Sequence, residues 1–152
     1  MHTPAQIAKH PIHPMLVPIP IGLWIFSLVC DLVFVFGGGA ETWRTVAFYT
    51  MAGGIVGALI AAVPGFIDML SLRGQLKRIA LMHMTLNLVI VAMYAINLGW
   101  RIGDAYGSGP VWLSLVAVLL LGVSGWLGGK MVYEHGVAVH TAREGERGQL
   151  QA

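Results

Sequence analysis

The sequence predicts an all-α integral membrane protein, a four-helix bundle with short loops and with its N- and C-termini on the same side. Three observations predict it. Hydrophobic residues make up 57% of the 152 and charged residues only 11%, where a soluble domain is nearer a quarter charged. Four apolar runs, at about residues 15–36, 46–70, 79–100 and 111–133, match the roughly 20 residues a helix needs to cross a bilayer. The connectors "GGGAET", "RGQLKR" and "GDAYGSG" are turn-rich or charged and too short for anything but antiparallel neighbours. No linker or repeat divides residues 1–152, so a single domain is expected.

In the first run, Pro18 and Pro20 fall in the first helical turn, where a missing N–H costs little. Asp31 lies near the far end, within reach of the interface or of a polar contact inside the bundle. Cys30 is the only cysteine, which excludes an internal disulfide, and no C-x-x-C-H stretch offers covalent haem attachment. The run is too long for a signal-peptide core, and no small-residue cleavage site follows it.

The second run, "AGGIVGALIAAVPGFIDML", repeats small residues at four-residue spacing: Gly53 with Gly57, Gly54 with Ala58 and Ala62, Gly57 with Ala61 and Gly65. Such a face lets helices approach closely in lipid, or makes room for a flat cofactor. Pro64 removes a backbone bond one turn before Asp68, which either pairs with Arg73 at the interface or serves a site. The third run carries His83 about 6 Å inside its start, with Asn87 one turn on along the same face. In the fourth, Gly122, Gly125 and Gly129 could serve packing or a cofactor. Gly136 stops the helix, so His135 lies close to the last turn and can cap it.

The leading arm reads "KHPIHPMLVPIPIG". A residue before proline is pushed away from α geometry, so His10 and His13 are expected on an extended, polyproline-like arm, about 9 Å apart on one face. Such a segment lends one imidazole to a shared pocket. All six histidines, at 2, 10, 13, 83, 135 and 140, fall on the face of the termini and the second connector. Most non-spanning residues lie there anyway, so the count decides little. The stronger point is that three separated segments each bring an imidazole to one membrane boundary. That face also holds Lys9, Arg73, Lys77, Arg78, Lys130, Arg143 and Arg147, against Arg44 and Arg101 opposite, which makes it cytoplasmic. Charge concentrated at one membrane face accounts for the pI of about 8.9 without nucleic acid. Trp43, Trp100 and Trp112 sit at the other helix ends, where an aromatic belt belongs.

"HPIHP" before a proline-interrupted helix, "PGFIDML", "HMTLN" and "GGKMVYEHGVAV" together resemble the bacterial membrane family catalogued as domain of unknown function 2231, over nearly the whole chain. The resemblance implies a bacterial inner membrane. It assigns His10, His13, Asp68, His83, Asn87, His135 and Gly136 to the family's pattern, with Pro18 standing where some relatives carry another histidine. It also implies company with Rieske-type iron–sulfur domains.

Three functions compete. The leading expectation is a haem b protein passing electrons near the cytoplasmic face. There His83 with His13 or His135 would ligate iron, His10 and Asn87 would line the pocket, and Arg73, Lys77 and Arg78 would neutralise propionates. A metal site built from His13, His83, His135 and Asp68, suited to zinc or a first-row redox metal, is the second. The third is a non-catalytic membrane subunit, in which histidines and Asp68 form a polar cap over helix ends and the small-residue faces hold helices or a second copy together. Nothing supports soluble enzyme chemistry: there is no phosphate-binding loop, nucleophile elbow or zincin helix.

Overall fold

The computed structural model describes residues 4–8, 10–102 and 108–139. Of the groups named above, His2, Lys9, His140, Arg143, Arg147 and most of "GDAYGSG" lie outside them. A small antiparallel hairpin, β1 (Gln6–Ile7) with β2 (His10–Pro11), leads into α1 (Ile12–Leu16) and α2 (Pro18–Phe36). Three long helices follow: α3 (Glu41–Ser71), α4 (Gly74–Ile102) and α5 (Ser108–Tyr133). Four segments, with α1 and α2 counted together, are long and apolar enough to cross a membrane.

Two local departures from expectation have simple causes. His13 lies inside α1, not on an extended arm. The bias against helix before proline is modest, and Pro14 sits in the first turn, where its missing N–H is not needed. Pro18 cannot bond back to residue 14, which divides α1 from α2, yet the Val17 N–H reaches His13 O at 3.1 Å and the chain continues as one rod. The second difference is length. The "RGQLKR" connector is mostly helix, so α3 and α4 are joined by Leu72 and Arg73 alone. Gln, Lys and Arg are good helix formers, and Gly74, at φ +59°, supplies the left-handed residue the reversal needs.

α2 packs most extensively on α3 and α4 on α5, with thinner α3–α4 and α2–α5 seams. α2 and α4 therefore stand diagonally opposed, and only long side chains meet across the axis. Trp24 stacks on Tyr94 with centroids 4.3 Å apart and planes 10° apart. Asp31 pairs with Arg101, and His13 faces His83. The partners differ by the same number each time (94 − 24, 101 − 31 and 83 − 13 all give 70), so the α1–α2 rod and α4 run parallel in one register. Around the aromatic stack, Met51, Ile90, Ala117 and Leu121 close the core.

The small-residue face of α3 is a packing face. A Cβ on Gly54 would collide with the Trp24 indole, one on Gly57 would press on Ile19 and Pro20 at 3.4 Å, and one on Gly65 would come within 2.7 Å of His13 Nδ1. Bare backbone here receives the side chains of α1 and α2. The α5 glycines behave differently: nothing lies within 4 Å of a Cβ on Gly122 or Gly125, and both residues are exposed.

Candidate functional site

Two polar clusters lie inside the bundle, one toward each end. The first gathers His13, His83, Asn87 and Ser124. His13 Nδ1 lies 2.8 Å from the carbonyl of Ala61 on α3, and a carbonyl only accepts, so the proton sits on Nδ1 and Nε2 carries the lone pair. That carbonyl lies next to the one of Ile60, which Pro64 leaves without a backbone donor. His83 Nδ1 lies 3.0 Å from the carbonyl of Ser124 on α5, which fixes the same tautomer. Asn87 Nδ2 donates to His83 O at 2.8 Å and Ser124 Oγ at 2.7 Å and stands 3.2 Å from His83 Nε2. The two imidazole rings are perpendicular, with centroids 6.4 Å apart and planes at 87°. Gly65 and Gly128 give them room: a Cβ on Gly128 would lie 3.4 Å from His83 Cε1.

The other expected residues take separate partners. Asp68, buried, accepts the Ala5 backbone N–H at 2.8 Å instead of pairing with Arg73, which is exposed; it ties the N-terminal hairpin to the end of α3. His135 Nδ1 reaches Lys130 O at 3.2 Å, a cap on its own helix. His10, exposed, bonds Ala8 O at 2.9 Å. Each described histidine thus spends Nδ1 on a backbone carbonyl. Among the described residues no three of His, Cys, Asp and Glu gather closely enough to hold a metal ion. A cleft of about 640 Å³ lies between the hairpin, α1 and α3, and another of about 450 Å³ opens where α3 meets the end of α4. Neither is lined by His13 or His83.

Sequence reading missed the second cluster. Arg101 Nη1 and Nη2 donate to Asp31 Oδ1 and Oδ2 at 2.7 and 2.6 Å, with the two side chains 1% and 0% exposed. Arg101 Nε donates to Asn97 Oδ1 at 2.8 Å. Asn97 Nδ2 in turn reaches Pro110 O at 2.7 Å and Ser114 Oγ at 2.9 Å. Of the two places open to Asp31, the polar contact inside the bundle is the one it takes, and Arg101 belongs to the bundle instead of a flanking loop. The available signal was spacing: Asn97 and Arg101 are one turn apart, and His83, Asn87 and Tyr94 continue the same face of α4. Nearer the centre, Trp24 Nε1 donates to Met51 O at 3.3 Å and Ser27 Oγ to Ala47 O at 2.8 Å.

A profile of the family described as predicted membrane protein, domain of unknown function 2231 (DUF2231), matches residues 9–141. The chain belongs to DUF2231. The match takes in both clusters and every described histidine. No curated protein and no solved structure matches this DUF2231 chain.

Proposed function

We propose that this DUF2231 protein is a non-catalytic subunit of a membrane assembly, a scaffold whose intramembrane polar residues latch helices to one another. One observation carries the reading: three buried or half-buried polar side chains of the histidine end bond backbone of another segment. His13 bonds α3, His83 bonds α5 and Asp68 bonds the N-terminal hairpin. Side-chain bonds that cross between helices add about 0.6 kcal/mol each on average in a membrane protein. The exposed α5 face carrying Gly122 and Gly125 leaves room for a helix of a second copy or of another subunit. The lipid bilayer is the remaining partner, and the multi-pass chain has its histidine end at the cytoplasmic face of a bacterial inner membrane.

A second reading has one observation in its favour. His13 and His83 face each other with Nδ1 anchored and the lone pair left on Nε2, the donor chemistry with which imidazoles hold haem b. In that reading the two imidazoles would hold the iron, which supplies one-electron chemistry. The helices would part to admit the ring, since Gly65 and Gly128 already accommodate the imidazoles themselves.

An optical spectrum of protein purified after expression with a haem precursor, combined with His83→Ala, separates the two. The scaffold reading expects no Soret band and a less stable His83→Ala bundle with an unchanged spectrum. A Soret band that disappears in His83→Ala overturns it in favour of haem.

A further inference from the structure

The cleft between the N-terminal hairpin, α1 and α3 has a volume of about 640 Å³, within the ~300–1,000 Å³ typical of small-ligand sites. Ile12 and Leu16 line it from α1, Ile60, Val63 and Ile67 from α3, and Gln6 from the hairpin. Among the described residues that line it, none is aromatic and Gln6 alone is polar. Val63, at mid-cleft on α3, is 62% exposed within a segment apolar enough to span a membrane, so the cleft opens toward acyl chains and not toward water.

The polar group stands at one end of this aliphatic surface. Ala5, the neighbour of Gln6, is held by its N–H to Asp68 at 2.8 Å, and Asp68 lies three residues before the last residue of α3, Ser71. Gln6 is thereby fixed at the level where the span meets the polar boundary. Ile60 lies eight residues earlier along α3, about 12 Å deeper at ~1.5 Å per residue. Gln6 Nε2 is buried and has no hydrogen-bond partner. An amide donor left unpaired at a bilayer boundary is costly, and the chain supplies no acceptor for it. Ile7, next along the hairpin and 67% exposed, gives this strand an apolar side chain to set against lipid.

We propose that the cleft holds one acyl chain of a membrane phospholipid from the leaflet at the histidine end, with the ester carbonyl of that chain accepting a hydrogen bond from Gln6 Nε2. Rotation of the amide about its last side-chain torsion, which is broad, presents Nε2 to the cleft. The lipid's own layout matches the site: carbonyl at the boundary beside Gln6, methylenes running inward past Val63 to Ile60. A purely aliphatic lining suits a flexible chain and offers no ring on which a planar head such as a quinone would stack. The bound chain would fasten the hairpin to α3 alongside the Asp68 bond. The site lies apart from His13 and His83 and does not depend on the scaffold reading.

The test is native mass spectrometry of the full chain released from micelles, titrated with chain-matched diacyl phosphatidylglycerol or with its dialkyl ether analogue, which keeps the head group and lacks the carbonyls. The wild-type protein is expected to bind the ester lipid roughly threefold to tenfold more tightly than the ether lipid, the worth of one hydrogen bond. Gln6→Leu is expected to bind both equally. Val63→Trp, which fills the cleft from the lipid side, is expected to lose the tightly held lipid of either kind. Equal binding of ester and ether lipid by the wild type overturns the proposal, as does an ester preference that survives in Gln6→Leu. Undiminished binding by a Val63→Trp protein that elutes as the wild type does also overturns it. Displacement of the ester lipid by decylubiquinone at a lower concentration than the lipid itself assigns the cleft to a quinone instead.

Discussion

Replacing Asp31 with asparagine tests the energetics of the buried ion pair most directly. Asp31 and Arg101 are joined by two short bonds, and water reaches neither side chain. The substitution keeps the shape but leaves the Arg101 guanidinium without a counter-charge, and Asn97 Oδ1 cannot replace one. Stranding one partner of such a pair costs about 3–5 kcal/mol. Removing both charges is a different matter, because the desolvation cost of the pair disappears with the pair. Asp31→Leu combined with Arg101→Met should therefore fall within about 1–2 kcal/mol of wild type, the residue of the difference being hydrogen bonds that Asn97 and Ser114 lose. Asn97 keeps Pro110 O and Ser114 as partners, which limits that loss. The assay is unfolding of the micellar protein by increasing SDS, followed by far-UV CD and by tryptophan fluorescence, to which the buried Trp24 contributes among five tryptophans. The four corners, including both single apolar variants, form a double-mutant cycle. Added salt should leave the coupling energy nearly unchanged, since screening acts mainly on exposed charges. If Asp31→Asn costs under about 1 kcal/mol, or the apolar double variant is less stable than either single one, the reasoning of buried-pair energetics is wrong here.

Further outcomes follow from the same geometry and the same unfolding assay. Gly54→Ala, whose new methyl would strike Trp24, should destabilise by about 1–3 kcal/mol as overpacking does. Gly122→Ala, with open space around it, should stay within about 0.5 kcal/mol of wild type, as surface changes do. His83→Ala removes a bond to α5 and a partner of Asn87 and should cost about 1–3 kcal/mol, whereas His135→Ala, which loses only a cap on its own helix, should cost well under that. Asp68→Ala releases the Ala5 N–H, so limited proteolysis should cut the N-terminal hairpin sooner than in wild type while α3 to α5 stay protected.

The bundle was legible because bilayer thickness acts on composition alone: four apolar runs and their connectors are enough to place four helices. Helix ends were less so. Gln75, Lys77 and Arg78 read as a polar connector, yet they are strong helix formers and extend α4 by more than a turn. At the site, three imidazoles were expected to share one pocket from their shared height; His13 and His83 meet, whereas His135 turns back to cap its own helix. The geometry of that meeting was not foreseen, because the pre-proline rule places His13 on an extended arm and the structure puts it in a helix. The Asp31–Arg101 cluster escaped for another reason. Hydropathy counts a terminal arginine as a flank, and only the parallel register of two helices far apart in sequence shows that its side chain turns inward to a carboxylate.

That parallel register also constrains how the protein meets membranes of different thickness. Sliding the α1–α2 rod past α4 by a single turn, about 5.4 Å, would unstack Trp24 from Tyr94, part the imidazoles and abandon an aspartate and an arginine separately to hydrocarbon. A bilayer too thin or too thick for the bundle must then be met by tilting all the helices as one body, or by deforming the lipid around them, because shear between helices is barred at three heights simultaneously.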